Sequence, residues 1–193
     1  MPRAGLTTAR VVDAAAELAD QVGLAGLTLS ALAEDLGVRQ PSLYKHIDGA
    51  DGLRRALSLR AKGDLAEVLS RASVGRAGGD AVRALARGYR DWAREHPGMY
   101  EALVPAPDPG DRRDVAASDR IVSLVTDVLA GFSLRDDAAI HATRALRACL
   151  HGFVTLERSG GFGLPVDIDA SFARMVDGLV LSMESTARSG SVG

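Results

Sequence analysis

Cysteine is nearly absent from this chain: Cys149 is the one thiol among 193 residues. A lone thiol closes no internal disulfide, so a reducing, cytoplasmic setting is the expectation. Cys149 falls on an apolar helical stretch, where a free thiol serves as a small core residue. Aromatics are scarce, with one Trp, three Tyr and four Phe. Strand-like alternation is missing as well, and the two absences together argue against a sheet. No apolar run reaches the roughly 18 residues that span a bilayer. The opening MPRAGLTTAR lacks the apolar core of a signal peptide, so no membrane partner is expected.

Catalytic signatures are missing too. His46, His96, His141 and His151 show none of the paired spacing of zinc ligands. There is no nucleophile elbow, dinucleotide fingerprint or Cys–His signature. The glycines between Ser159 and Pro165 follow no strand and lead to no Gly-Lys-Ser/Thr, which argues against a phosphate loop. No enzyme, cofactor or metal is expected. An excess of positive charge is also lacking: the chain is formally −2. Residues 1–50 hold four bases (Arg3, Arg10, Arg39, Lys45) against six acids (Asp13, Glu17, Asp20, Glu34, Asp35, Asp48). That excludes a generally basic nucleic-acid coat.

What is present is helix. Hydrophobic residues make up 47% of the chain, and Ala, Leu and Val dominate. The spacing predicts a first helix from Thr8 to Val22, capped by Thr7 or Thr8, with Val11, Ala14, Ala15, Leu18, Ala19 and Val22 as its buried stripe. Later helices are expected from about Asp51 to the glycines at 75–79, from Asp80 to Glu95, around Met99–Leu103, from Arg113 to Ala130, from Asp136 to Arg158, and from Asp169, as N-cap, to Ala187. Pro105–Gly110 reads as a mobile loop and the tail from Ser189 as disordered.

The stretch LTLSALAEDLGVRQPSLYKHI, Leu27–Ile47, carries the most information. Leu29, Leu32, Ala33 and Leu36 form one helical stripe, with Thr28 or Ser30 as its cap. Gly37 then takes the left-handed conformation that ends a helix, and Val38 folds back. Pro41 sits near the start of a second helix, where a missing N–H costs least. That helix carries Arg39, Gln40, Ser42, Tyr44, Lys45 and His46. A helix-turn-helix so furnished suits a DNA major groove. An ordinary helical hairpin with a polar solvent face has the same spacing. Gln40 can pair bidentately with adenine N6 and N7, Arg39 can reach guanine or a phosphate, and Ser42 offers a short donor.

A long helix, then GLAGLTLSALAEDLGV, then QPSLYKHI, then a longer amphipathic helix resembles the N-terminal domain of the TetR family of transcriptional repressors, over about residues 7–60. Gly37–His46 is similar to that family's central motif, with the Gly-Val turn, the Leu-Tyr pair and the following His in register. Tyr44 and His46 resemble the family's phosphate-contacting pair, and Thr28 would cap the second helix, touch a phosphate, or both. Arg3 itself reads either as a minor-groove contact from a flexible arm or as a residue of a disordered tail. Two departures stand out. Gly49-Ala50-Asp51 replaces a Lys that many members place at the start of the fourth helix, which shifts that contact to Arg54 or Arg55 or removes it. Ser30 occupies a region where some relatives carry a long basic residue.

Tyr89-Arg90-Asp91-Trp92-Ala93, His96-Pro97-Gly98-Met99-Tyr100 and Leu150-His151-Gly152-Phe153 resemble the family's WHG-type ligand-binding branch, with Cys149 where that branch often has Trp. The resemblance implies an all-α protein of about nine helices: a three-helix reading head at 1–48 and a ligand-binding and dimerisation domain at 49–193. It implies a homodimer paired through helices near 136–158 and 169–187, and a palindromic double-stranded DNA operator. It implies a small hydrophobic or aromatic effector in a cavity lined by Tyr89, Trp92, His96, Met99, Tyr100, Arg147, His151 and Phe153. Plain core packing explains the same large side chains, and a helical scaffold protein without DNA binding is the alternative function.

Overall fold

Every regular element of the computed structural model, which describes residues 6–134 and 136–190, is helical. The order is α1 Thr8–Val22, α2 Leu29–Asp35, a 3₁₀ segment Gln40–Lys45, α3 Gly49–Ser73, α4 Gly78–Glu95, α5 Pro97–Leu103, α6 Arg112–Ala130, α7 Asp136–Arg158 and α8 Ile168–Gly190. Arg3 and the end of the tail, 191–193, lie outside the described residues. The chain divides into two compact units. One comprises residues 1–64 and 95–117, the other 65–94 and 118–193.

In the first unit, local chemistry sets the helix ends. Thr7 Oγ1 accepts from the Arg10 amide at 3.2 Å and starts α1. Thr28 Oγ1 does the same for Ala31 at 3.1 Å and starts α2. Val11, Ala15 and Ala19 are the buried line of α1, while Val22, expected in that stripe, is exposed in the last turn. Small residues on this line permit a close approach. α5 lies so near α1 that a Cβ on Gly98 would meet the Ala19 carbonyl oxygen at 2.0 Å. Asp20 Oδ1 accepts from the Gly98 and Met99 amides, each at 2.9 Å, satisfying two of the unpaired N–H groups at the start of α5.

Charge pairs fasten α3 within this unit. Arg60 bonds Asp13 at 2.5 Å and Asp64 at 2.7 Å. Arg55 grips Asp111 with two nitrogens, Nη2 at 2.8 Å from Oδ1. Lys62, only 3% exposed, pairs with Asp114. The segment expected to be a mobile loop is tied down at Asp108, whose amide donates to Asp114 Oδ2 at 3.0 Å.

The second unit has α4, α7, α8 and parts of α3 and α6. Arg90 is buried, with its guanidinium 5.4 Å from the Phe153 ring centre and 4.7 Å from that of Phe172. It donates to both oxygens of Glu157, at 2.8 and 2.5 Å, and to Asp169 Oδ1 at 2.7 Å. Its pKa is raised, chiefly by the Glu157 bond, with desolvation opposing and Asp169 adding to it. The start of α8 differs from expectation. Asp167, not Asp169, is the cap: its Oδ1 accepts from the Asp169 amide at 2.9 Å. Asp169 sits in the first turn, within reach of Arg90.

Two outcomes follow. Arg90→Met leaves the partly buried Glu157 carboxylate unpaired and should cost about 3 kcal/mol; Arg90→Met with Glu157→Leu should recover much of it, as read by urea unfolding of all three proteins. Asp111 is held at about 2, below its ordinary 3.8, first by the Arg55 hydrogen bond. The stabilisation from this depressed carboxyl is complete above the ordinary value and is lost as pH falls through the depressed one. An NMR titration of the side chain should show that low midpoint, and Arg55→Gln should return it towards the ordinary value.

Candidate nucleic-acid interface and effector site

The turn that creates the interface is a matter of backbone geometry. α2 ends on a pair of bonds, Val38 N to Ala33 O at 2.9 Å and Gly37 N to Glu34 O at 3.0 Å, with Gly37 at φ +64°. This is the crossed pattern that closes a helix through a left-handed residue. An added Cβ at Gly37 would meet nothing within 4 Å, so the requirement for glycine is conformational and not one of space. Arg39 then runs extended into the 3₁₀ segment. The amides of Ser42 and His46 donate to Arg39 O and Leu43 O, both at 2.8 Å.

Within residues 39–47, Leu43 and Ile47 are buried. Tyr44 is 56% exposed, and Arg39, Pro41 and Lys45 are exposed too. Gln40, Ser42 and His46 are half-buried. The apolar pair pins the segment to the head while Tyr44 and Lys45 stand outward. Gln40 is fixed from the side, because Ser30 Oγ donates to its Oε1 at 3.0 Å. Thr28, exposed at the start of α2, uses its oxygen as a cap and retains a hydroxyl proton to donate.

The acids that cloud the charge of this region are partly accounted for. Asp13 is paired with Arg60, and Asp20 is committed to α5 and to His96 Nδ1 at 2.9 Å. Glu34 and Asp35 are exposed on the last turn of α2. Of the two arginines that could take over a phosphate contact, Arg55 is gripped by Asp111, whereas among the described residues Arg54 pairs with exposed Asp51, at 3.5 Å.

The eight residues expected around an effector fall in both units. His96, Met99 and Tyr100 belong to the first. There His96 bonds Asp20, the Met99 amide is capped by the same carboxylate, and Met99 and Tyr100 are buried. Their motif therefore docks α5 on α1. Tyr89, Trp92, Arg147, His151 and Phe153 belong to the second unit. Trp92 and Phe153 are buried, Tyr89 and His151 half-buried, and Phe153 packs on Phe162 and Phe172 with ring centres 4.8 and 5.0 Å apart. Arg147 is exposed, at the edge of the stripe through which α7 buries Ala139, Leu146, Leu150, Phe153 and Val154. A groove of about 340 Å³ in the second unit is lined by other residues, among them Ser70, Val74, Ala77, Leu124 and Val128. Among the described residues no cluster of His, Cys, Asp and Glu is placed to hold a metal, and no helix is long and apolar enough to cross a membrane.

Asp20, Gly98 and Arg90 were not among the expected site residues, although Gly98 and Arg90 lie in motifs that carry the resemblance; the Pro-Gly pair at 97–98 is the local sign of a close approach.

Known proteins share both halves of this arrangement. The profile of bacterial regulatory proteins of the tetR family matches residues 11–57, and that of the tetracyclin repressor-like C-terminal domain matches 82–179. The chain is 43% identical to the uncharacterized HTH-type transcriptional regulator YobS of Bacillus subtilis (strain 168), over 86% of this chain and 87% of that protein. It is 38% identical to the uncharacterized HTH-type transcriptional regulator Rv0681 of Mycobacterium tuberculosis H37Rv, over 94% of this chain and 83% of that one. Among solved structures, a TetR variant from Acinetobacter baumannii AYE in complex with minocycline superposes with a TM-score of 0.71 at 24% identity, covering 95% of this chain and 99% of that one. That likeness concerns the fold. With the head and the C-terminal region both matched, the chain belongs to the TetR family and is a helix-turn-helix transcriptional regulator.

Proposed function

We propose that this chain is a cytoplasmic homodimeric repressor that leaves a palindromic DNA operator when a small hydrophobic or aromatic molecule binds. The observation that carries this reading is the outward stance of Tyr44 and Lys45, beside Gln40, on a segment whose Leu43 and Ile47 are buried. Residues 1–48 act as the reading head and 49–193 as the regulatory and dimerisation part. Gln40, Arg39 and Ser42 face base edges; Tyr44, Lys45, His46 and Thr28 hold phosphates. Few bases surround them, so the salt slope of binding is shallow.

The second copy docks on α7 and α8. Ile140 and Leu156 on α7 and Leu181 on α8 are exposed apolar side chains that a partner would cover. A twofold dimer of this kind sets its two reading segments about 34–36 Å apart, in successive major grooves. Tyr89, Trp92, His151 and Phe153, with Arg147, serve the effector within the second unit; His96, Met99 and Tyr100 are a separate candidate group within the first. The minocycline complex of the Acinetobacter relative supports a small-molecule effector for the fold. Release is a population shift, driven only by the effector's different affinities for the operator-competent and incompetent forms.

Tyr44→Ala with Lys45→Ala should abolish a gel shift on the DNA upstream of the chain's own gene while leaving the dimer intact. Unchanged binding would overturn those two assignments. No retarded species at low salt, even for the unaltered protein, would mark a scaffold that binds other proteins. Leu156→Glu with Leu181→Glu should convert the dimer to monomer in sedimentation without loss of helical signal; a persistent dimer places the interface elsewhere.

A further inference from the structure

Ser30 is exposed in the first turn of α2, and its hydroxyl donates to Gln40 Oε1 at 3.0 Å. The two side chains come from the two elements that flank the Gly37 turn, so this bond crosses the helix-turn-helix. An exposed bond of this kind adds little to stability, because water competes for both partners. What it settles is direction. A glutamine amide has one accepting end and one donating end. With the Ser30 hydroxyl on Oε1, that end is held towards α2, and the two hydrogens on Nε2 are left to be presented.

A freely rotating amide reads adenine by accepting from N6 and donating to N7 at once. An amide held by its oxygen offers donors, as do the Lys and Arg heads that read guanine O6 and N7. The geometry points to Ser30 as a positioning residue that makes Gln40 a reader of acceptor edges, guanine before adenine. The inference rests on the DNA-reading function proposed above. Ser30 acts through Gln40 and touches no base itself. Exposed Tyr44 and Lys45 lie outside this bond, so losing the Ser30 hydroxyl changes which base is preferred and leaves backbone binding as it was.

The test is selection of binding sites from a randomised duplex library by the full-length protein and by its Gln40→Ala, Ser30→Ala and Ser30→Thr variants. Gln40→Ala identifies the base pair concerned, as the position where preference flattens. The unaltered protein should favour guanine there. Ser30→Ala should shift the guanine-to-adenine ratio towards adenine by about threefold, the scale of the bias that one exposed hydrogen bond can impose. Ser30→Thr, which keeps the hydroxyl, should retain guanine, and preferences at other positions should not move. Equal ratios for the unaltered and Ser30→Ala proteins would overturn the inference, as would Ser30→Thr behaving like Ser30→Ala. So would a Gln40→Ala protein that flattens no position. Failure of the unaltered protein to enrich any sequence is a different result, and it would refute DNA reading itself.

Discussion

The left-handed backbone at Gly37 governs the rest of the head. With φ at +64°, α2 closes through Val38 N to Ala33 O, and the chain leaves the helix turned back on itself. That reversal brings Leu43 and Ile47 inward, and their burial in turn decides that Tyr44 and Lys45 face out. It also brings Ser30 within hydrogen-bond reach of Gln40. A side chain at position 37 would find space but not an easy backbone conformation, so the constraint is one of torsion.

Carboxylates supply the second organising theme of the first unit. Asp13, Asp20, Asp111 and Asp114 each meet a specific partner: Arg60, His96 with the start of α5, Arg55, and Lys62. The pairings remove acids from competition with a phosphate backbone, but they occupy Arg55, Arg60 and Lys62 as well. Around the turn the exposed positive charge is local: Arg39, Lys45 and, nearby, Arg54. On the function proposed above, binding depends on shape and a few contacts rather than on a broad field.

The second unit is organised around a cation. Arg90 lies over both Phe153 and Phe172, which also touch each other, and satisfies Glu157 and Asp169 with the same guanidinium. Its planar fork suits two carboxylates and two ring faces at once, a combination a lysine could not reproduce. Phe153 was expected to line an effector cavity; its observed partners are Arg90 and two other aromatic rings. His96, Met99 and Tyr100 tell a similar story, since their positions are explained by the docking of α5 on α1.

What the sequence determined by itself was everything set by near neighbours. α1 and α7 run from Thr8 to Val22 and from Asp136 to Arg158, as their spacing and bounding residues predict. The Gly37 turn and a cap at Thr28, one of the two residues expected there, were legible for the same reason: each depends on residues within about one helical turn. Tertiary structure alone decided the rest. That Asp169 pairs with Arg90, that Asp20 caps a helix 78 residues away, and that Ser30 bonds the amide of Gln40 are outcomes of which surfaces meet. Side chains distant in sequence have no local signature of their partners, because the direction in which each points is set by packing between elements and not by its neighbours along the chain.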